Sequence, residues 1–173
     1  MIPKQDLPEF YNIVIDSDKH EYLQAYSVLE NFTAQPGIII SLRRPAKNIR
    51  DQIQRLGFEI HEETHFIDGI SKHIDNDLSL SNTIYLNSPK DLKSIADAIK
   101  KLADRMPLSE KFLIFDSPQI ALNGADAKTS LHFLNHITNQ LRDYNFRGIF
   151  MTHDVKASMK SKLGHFADAF IKL

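Results

Sequence analysis

Six residues near the middle of the chain decide its fold class: Phe112-Leu113-Ile114-Phe115-Asp116-Ser117. Four consecutive large apolar side chains in a β-strand face both sides of a sheet, so both sides need cover. Ile38-Ile39-Ile40 has the same character and lies earlier in the chain. Strands that are buried on both faces are typical of parallel sheets with helices on each side. Both runs therefore predict an α/β fold around a parallel sheet.

Amphipathic segments separate these apolar runs. Helical spacing of apolar residues predicts helices at residues 22–32, 45–57, 88–103, 126–144 and 155–163, with Ser88 as a cap and Gly57 as an end. Further strands are predicted at residues 11–15, 65–68, 83–86, 148–151 and 167–173. Strict alternation of strands and helices predicts a three-layer αβα fold with a mainly parallel central sheet. With no linker or repeat in the sequence, residues 1–173 are predicted to form a single domain.

Composition excludes several classes of function. The chain has 21 Lys and Arg against 22 Asp and Glu, for a net charge of −1, so bulk electrostatics does not draw it to nucleic acid. Because there is no cysteine, disulfides, thiolate metal sites and cysteine nucleophiles are excluded. The sequence shows no signal peptide and no apolar run near the roughly 20 residues that span a bilayer. We therefore expect a cytoplasmic protein without a membrane partner.

Three stretches carry a resemblance to the RecA/KaiC-like P-loop ATPases. Residues 38–58 resemble the family's second strand and following helix, and residues 164–173 resemble the strand that closes the domain. Residues 112–117 resemble the Walker B strand, in which the terminal Asp binds the magnesium shell. The resemblance implies a RecA/KaiC-like domain in which Asp116 occupies the Walker B position.

The phosphate-binding loop of that family is missing. A working member carries G-x-x-x-x-G-K-[ST] after its first strand, where backbone N–H groups wrap the phosphates. Here the stretch is Asp16-Ser17-Asp18-Lys19-His20-Glu21, without the glycines that a tight anion nest uses. Two carboxylates stand where a triphosphate would sit, and like charges roughly 4 Å apart cost on the order of 4 kcal/mol at an effective dielectric constant of about 20. The stretch predicts that the chain does not grip ATP.

A second part of the ATPase machinery is also replaced. KaiC-like enzymes place a water-activating glutamate after the second strand, whereas this chain has Arg43 and Arg44 there. A guanidinium stays protonated at neutral pH and cannot act as a base. We therefore predict no catalytic residue and no cofactor, with Asp116 serving only as a hydrogen-bond acceptor.

Polar residues near the strand ends still form a candidate site. In open α/β sheets, ligands bind beyond the carboxyl ends of the strands. A residual nucleotide or anion site is accordingly predicted from Asp16, Lys19, Arg43, Arg44, Asp116 and Thr152. The alternative for the two arginines is the solvated face of a helix.

An enzymatic alternative rests on Asp16 and Asp18. The pair resembles the D-x-D nucleophile motif of haloacid-dehalogenase-type phosphatases, in which one Asp attacks phosphorus beside a magnesium ion. Thr152 and Lys162 are candidates for supporting roles. Capping of the next helix by Ser17 or Asp18 is the simpler interpretation.

Two histidine patterns suggest zinc but lack its geometry. Residues 61–65, His-Glu-Glu-Thr-His, match H-E-x-x-H, whose chemistry requires both histidines on one helix face. This segment is predicted to be a polar loop leading into a strand. His132 and His136 lie one turn apart on a predicted helix, but two ligands are too few for a zinc site. No metal site is predicted.

The sequence thus predicts a noncatalytic RecA/KaiC-like domain that acts as a protein-binding or regulatory module. We expect a protein partner and a monomer or homodimer. A metal-dependent phosphatase-like hydrolase using Asp16 and Asp18 remains open. Residual nucleotide binding without turnover, with Asp116 and Arg43 as contacts, also remains open.

Overall fold

Every predicted apolar run forms a strand of one sheet in the computed structural model, which describes residues 7–18, 24–32, 34–74, 77–153 and 155–173. The strands are β1 (Asn12–Ser17), β2 (Gly37–Ser41), β3 (His65–Asp68), β4 (Thr83–Tyr85), β5 (Lys111–Asp116), β6 (Phe146–His153) and β7 (Ala169–Lys172). Their order across the sheet is β4-β3-β2-β5-β6-β1-β7, and each neighbouring pair is parallel. The prediction of a mainly parallel sheet is confirmed.

In the described part of the chain, five α-helices connect these strands. They are α1 (Ala46–Arg55), α2 (Leu92–Ala103), α3 (Pro118–Leu122), α4 (Ala127–Asp143) and α5 (Ala157–Gly164). The 3₁₀ helices Gln24–Asn31 and Ser71–His73 follow β1 and β3. Among the described helices, none combines the length and apolar character that crossing a bilayer requires.

Helices cover both faces of the sheet. On one face, the 3₁₀ helix Gln24–Asn31 and α1 bury Tyr26, Leu29 and Ile53 against strand residues such as Ile39 and Ile114. On the other face, α2, α3, α4 and α5 pack against the alternate strand residues, which include Val14, Ile40, Leu113, Phe115 and Phe150. Alternation of side chains along each strand divides the core into these two halves. The structure is therefore the predicted three-layer αβα arrangement.

Several element boundaries differ from the prediction. β1 continues two residues beyond Ile15, and β6 continues to His153, because the two strands pair in parallel through their polar ends, with Asp16 beside Thr152. The segment predicted as a helix at residues 22–32 is a 3₁₀ helix over its described part.

The start of α2 also differs. Its N-cap is Asp91 and not Ser88, because the Asp91 carboxylate accepts hydrogen bonds from the Ser94 N–H (3.0 Å) and hydroxyl (2.7 Å). The short helix α3, which begins two residues after Asp116, was not predicted.

Candidate functional site

The carboxyl ends of β2, β5, β6 and β1 lie side by side and form what we call the carboxyl edge. In the sheet register, Ser41 lies beside Asp116, Asp116 beside Met151, and Asp16 beside Thr152. This is the edge at which open α/β sheets bind ligands. The candidate residues that the structure describes, namely Asp16, Arg43, Arg44, Asp116 and Thr152, therefore lie at or just beyond one edge of the sheet.

Asp116 is closed off from solvent at this edge. It is 0% exposed, and its two carboxylate oxygens accept hydrogen bonds from the Tyr26 hydroxyl (2.8 Å, to Oδ2) and the Ser117 hydroxyl (2.7 Å, to Oδ1). Burial raises the pKa of Asp116 to about 7, and the hydrogen bond from Ser117 opposes that rise. The carboxyl is thus stabilised by the protein's own hydroxyl groups.

Tyr26 reaches Asp116 from the 3₁₀ helix that follows β1. It is 0% exposed, because Tyr26 belongs to the apolar face that this helix packs on the sheet. Burial raises the pKa of Tyr26 above its usual value, while the Arg44 guanidinium, which hydrogen-bonds the phenol, opposes that rise. The phenol therefore remains a hydrogen-bond donor to Asp116 at neutral pH.

Ser117 adopts an uncommon backbone conformation beside this contact. Its φ of 61° and ψ of 53° are left-handed, which residues other than glycine rarely adopt. The turn directs the chain into α3, and the Ser117 N–H bonds to the Met151 carbonyl on β6 (3.0 Å). Backbone strain of this kind often accompanies functional sites, and here it orients the hydroxyl that bonds to Asp116.

Asp16 lies on the opposite face of the sheet from Asp116. Its Oδ1 accepts a hydrogen bond from Thr152 Oγ1 (3.0 Å), and its Oδ2 pairs with Lys160 Nζ on α5 (2.5 Å). The side chain of Asp16 is 5% exposed and that of Lys160 is 39% exposed. Both Asp16 oxygens therefore have partners within the fold.

Arg43 and Arg44 diverge after β2. Arg43 Nη1 contacts His153 Nε2 at the end of β6, and His153 Nδ1 lies 3.4 Å from Gln119 Nε2. Arg44 instead turns to α1, where its Nη1 donates to Gln52 Oε1 (2.6 Å). Since β5 lies between β2 and β6, the Arg43–His153 contact spans the carboxyl end of β5.

The predicted site residues consequently form separate groups. Asp16 and Thr152 come together on the α5 side of the sheet, whereas Asp116 and Arg44 meet Tyr26 on the α1 side. Asp18 is exposed, and Lys19 lies outside the described residues. Sequence reasoning missed Tyr26, Lys160 and His153 as contacts. Only Tyr26 carried a signal, as a polar group within the apolar stripe of a predicted helix.

The histidine patterns do not form metal sites. His61 lies in the loop after α1 and His65 begins β3, so the two do not share a helix face, as predicted. His132 and His136 are both exposed on α4. Within the described ranges, no group of three or more His, Asp or Glu residues is arranged to hold a metal ion.

Solved structures resemble this arrangement over nearly its whole length. A KaiC-like protein from the hyperthermophilic archaeon Pyrococcus horikoshii matches with a TM-score of 0.63 at 14% identity, covering 96% of this chain and 72% of that one. The fold is RecA/KaiC-like. A second solved structure, that of an ATPase domain, matches with a TM-score of 0.61 at 11% identity, covering 96% of this chain and 70% of that one.

At such low identity, these similarities establish the RecA/KaiC-like fold alone. No protein-family model matches the sequence, and a search of curated proteins found no match. What the RecA/KaiC-like domain does must therefore be argued from its own residues.

Proposed function

We propose that this chain is a noncatalytic RecA/KaiC-like domain that acts as a protein-binding or regulatory module. The observation that carries the proposal is the contact between Tyr26 and Asp116. A magnesium-binding carboxylate must present an oxygen to the ion or its water shell. Both oxygens of Asp116 are instead engaged by hydroxyl groups, and the residue is fully buried.

Asp16 gives the second line of support. It stands where the family's phosphate loop begins, and its carboxylate is engaged by Thr152 and Lys160. The lysine ammonium that approaches this position thus neutralises the protein's own acid. Residues 16–24 contain no glycine, so the sequence offers no ready backbone nest for phosphates. The residues present do not fit a magnesium–nucleotide complex.

Arg43 and Arg44 support the same proposal. They replace the glutamate that activates water in KaiC-like enzymes, and their guanidinium groups contact His153 and Gln52. A fold retained after loss of its catalytic parts is well suited to a binding role. We propose a protein partner, and a cytoplasmic monomer or homodimer as the working form.

Thermal unfolding with nucleotide tests this proposal. Ligand that binds only the folded state raises the melting temperature by mass action. We expect millimolar ATP with magnesium to leave the melting temperature of the wild-type protein and of Asp116→Asn equally unchanged. A rise of several degrees in the wild type that Asp116→Asn abolishes would contradict the proposal. A rise without ATP hydrolysis would indicate residual nucleotide binding.

A phosphatase-like hydrolase remains the second candidate because of the contacts that Asp16 makes. Asp16 does meet a threonine and a lysine, although the lysine is Lys160 and not the predicted Lys162. Against this candidate, only 5% of the Asp16 side chain is exposed, which shields it from a phosphate ester. Magnesium-dependent turnover of 4-nitrophenyl phosphate, lost in Asp16→Asn and retained in Lys162→Met, would favour the hydrolase over the module.

A further inference from the structure

A cavity of about 510 Å³ lies at the end of the sheet opposite the carboxyl edge. It is bounded by the last turns of α1, by the segment of residues 57–64, and by residues 80–82, which precede β4. We call it the amino-edge cavity. Its volume is within the roughly 300–1,000 Å³ that small-molecule sites occupy.

The amino-edge cavity has an apolar base. Phe58, Phe66 and Leu80 line it and belong to the α1-side core or pack against it. Phe66 and Leu80 are 3% and 7% exposed, so the core fixes their positions. Such a base favours a ligand with one bulky apolar or aromatic group.

Charges of both signs line the cavity from different elements. Arg50 comes from α1, and Glu59 and Glu62 come from the segment after it. Arg50 forms an ion pair with its neighbour Asp51, in which Nε lies 4.0 Å from Oδ1. Among the described residues, Arg50 Nε has no hydrogen-bond partner. Neither glutamate has an ion pair in the described ranges. One cation and two anions are thus available to a ligand.

Unused hydrogen-bonding capacity adds to these charges. Thr64 lines the cavity at 3% exposure, and its hydroxyl has no hydrogen-bond partner among the residues that the structure describes. A buried hydroxyl without a partner is costly, and a ligand group that reaches it would recover that cost. His61 accepts a bond from the Glu63 N–H at Nδ1 (3.2 Å), so the neutral ring carries its proton on Nε2 as a donor.

We propose that the amino-edge cavity binds a small zwitterion with a bulky apolar side chain, namely an aromatic α-amino acid. The ligand's carboxylate pairs with Arg50, its ammonium pairs with Glu59 or Glu62, and its ring packs on Phe58 and Phe66. Arginine suits a planar carboxylate because its guanidinium can donate two parallel hydrogen bonds.

Other ligand classes fit this cavity less well. A nucleotide would bring several negative charges close to Glu59 and Glu62, which oppose them. A purely apolar ligand would leave Arg50 and the Thr64 hydroxyl without partners on desolvation. An aromatic amino acid matches both the charges and the base. The inference is independent of the proposed function, because it concerns the opposite end of the sheet.

Tryptophan fluorescence tests the proposal directly, because the chain contains no tryptophan. A fixed amount of L-tryptophan is titrated with the protein, and its fluorescence anisotropy is followed. We expect saturable binding with a dissociation constant below about 1 mM. Indole, which lacks both charges, should bind at least about tenfold more weakly. Equal affinity for indole and L-tryptophan, or no rise in anisotropy at protein concentrations of about 1 mM, would overturn the proposal.

Matched variants localise the binding. Arg50→Gln should weaken L-tryptophan binding by about tenfold or more, because it removes the carboxylate partner. Arg55→Gln, an exposed position on the same helix that does not line the cavity, should bind like the wild type. Melting temperatures establish that both variants are folded. Equal affinities of the two variants would contradict the site, as would NMR shift changes in the wild type confined to residues outside 50–66 and 80–82.

Discussion

Polar side chains at the two ends of the sheet differ in their hydrogen bonding. At the carboxyl edge, Asp116 and Asp16 each have both oxygens engaged by side chains of the same fold. At the amino edge, Thr64 and Arg50 line a cavity, and among the described residues neither the Thr64 hydroxyl nor the Arg50 Nε has a hydrogen-bond partner. At the end where α/β sheets usually bind ligands, both buried carboxylates are therefore paired within the fold.

The comparison shows that a chain can keep the RecA/KaiC-like fold while its strand ends carry residues with other contacts. A RecA/KaiC-like sheet brings strand ends together whatever residues occupy them. In this chain Asp116 and Asp16 pair with side chains of the same fold, and we propose that these contacts serve stability. If so, substitutions that remove these contacts should change the free energy of unfolding.

The largest expected effect is a pH dependence that belongs to Asp116. Burial raises the pKa of Asp116 from an ordinary value of 3.8 to about 7, so between these two pH values the native state holds a proton that the unfolded state has released. The stability contributed by this group is therefore greatest at low pH and falls by about 3 kcal/mol as pH rises from 4 to 7. Denaturant unfolding of the wild type and Asp116→Asn measures it.

The difference in unfolding free energy between these two proteins isolates the one carboxyl, because the other titrating groups are common to both. We expect the wild type to lose stability relative to Asp116→Asn across that pH range. A difference that stays constant with pH would show that Asp116 is ionised throughout, and so in contact with solvent or a cation.

Removal of the Tyr26 hydroxyl should have the next largest effect. Tyr26→Phe deprives Asp116 Oδ2 of its donor and should lower the free energy of unfolding by about 1–3 kcal/mol at pH 8, where the carboxyl is ionised. The loss should be smaller at pH 5, because a hydrogen bond to a neutral carboxyl is weaker. An unchanged free energy of unfolding at both pH values would show that the Tyr26–Asp116 hydrogen bond does not stabilise the fold.

The ion pair on Asp16 should contribute less. Lys160→Met is expected to lower stability by about 1 kcal/mol, since the partly exposed ammonium is screened by solvent although Asp16 is buried. Lys162→Met, at a similarly half-buried position on the same helix, should change stability by less than about 0.5 kcal/mol. Equal effects of the two substitutions would mean that Asp16 does not depend on Lys160.

The smallest effects compare one threonine at each end of the sheet. Thr152→Val removes a donor to Asp16 and should cost about 1 kcal/mol. Thr64→Val replaces a buried hydroxyl that has no partner within the described ranges, so the free energy of unfolding should stay the same or rise by up to about 1 kcal/mol. A larger loss of stability in Thr64→Val than in Thr152→Val would contradict the contrast between the two edges.

The strands and the layers followed from local patterns in the sequence. Apolar runs such as residues 38–40 and 112–115 have only one stable environment, a sheet covered on both faces. Gly57 then marked the end of the helix that follows the second strand, and it does adopt a φ of 82°. These features depend on neighbours within a few residues, which is why periodicity reveals them.

The details of the carboxyl edge depend on contacts that are remote in sequence. Tyr26 meets Asp116 across 90 residues, and Lys160 meets Asp16 across 144. Nothing in the local pattern distinguishes Lys160 from Lys162, because the choice is made by the rotation of α5 against the end of β1. The left-handed turn at Ser117 could not be predicted from a glycine, because serine occupies the position. The sequence therefore placed Asp16, Thr152 and Asp116 at the carboxyl edge, but it revealed neither their hydrogen bonds nor the contacts of Tyr26 and Lys160.

A crystal structure of the protein grown with millimolar ATP and magnesium tests the central claim most directly. We expect no nucleotide at the carboxyl edge, with the Tyr26 hydroxyl still within hydrogen-bond distance of Asp116. Density for a nucleotide whose phosphates are held by main-chain nitrogens after β1, with Tyr26 displaced from Asp116, would contradict it.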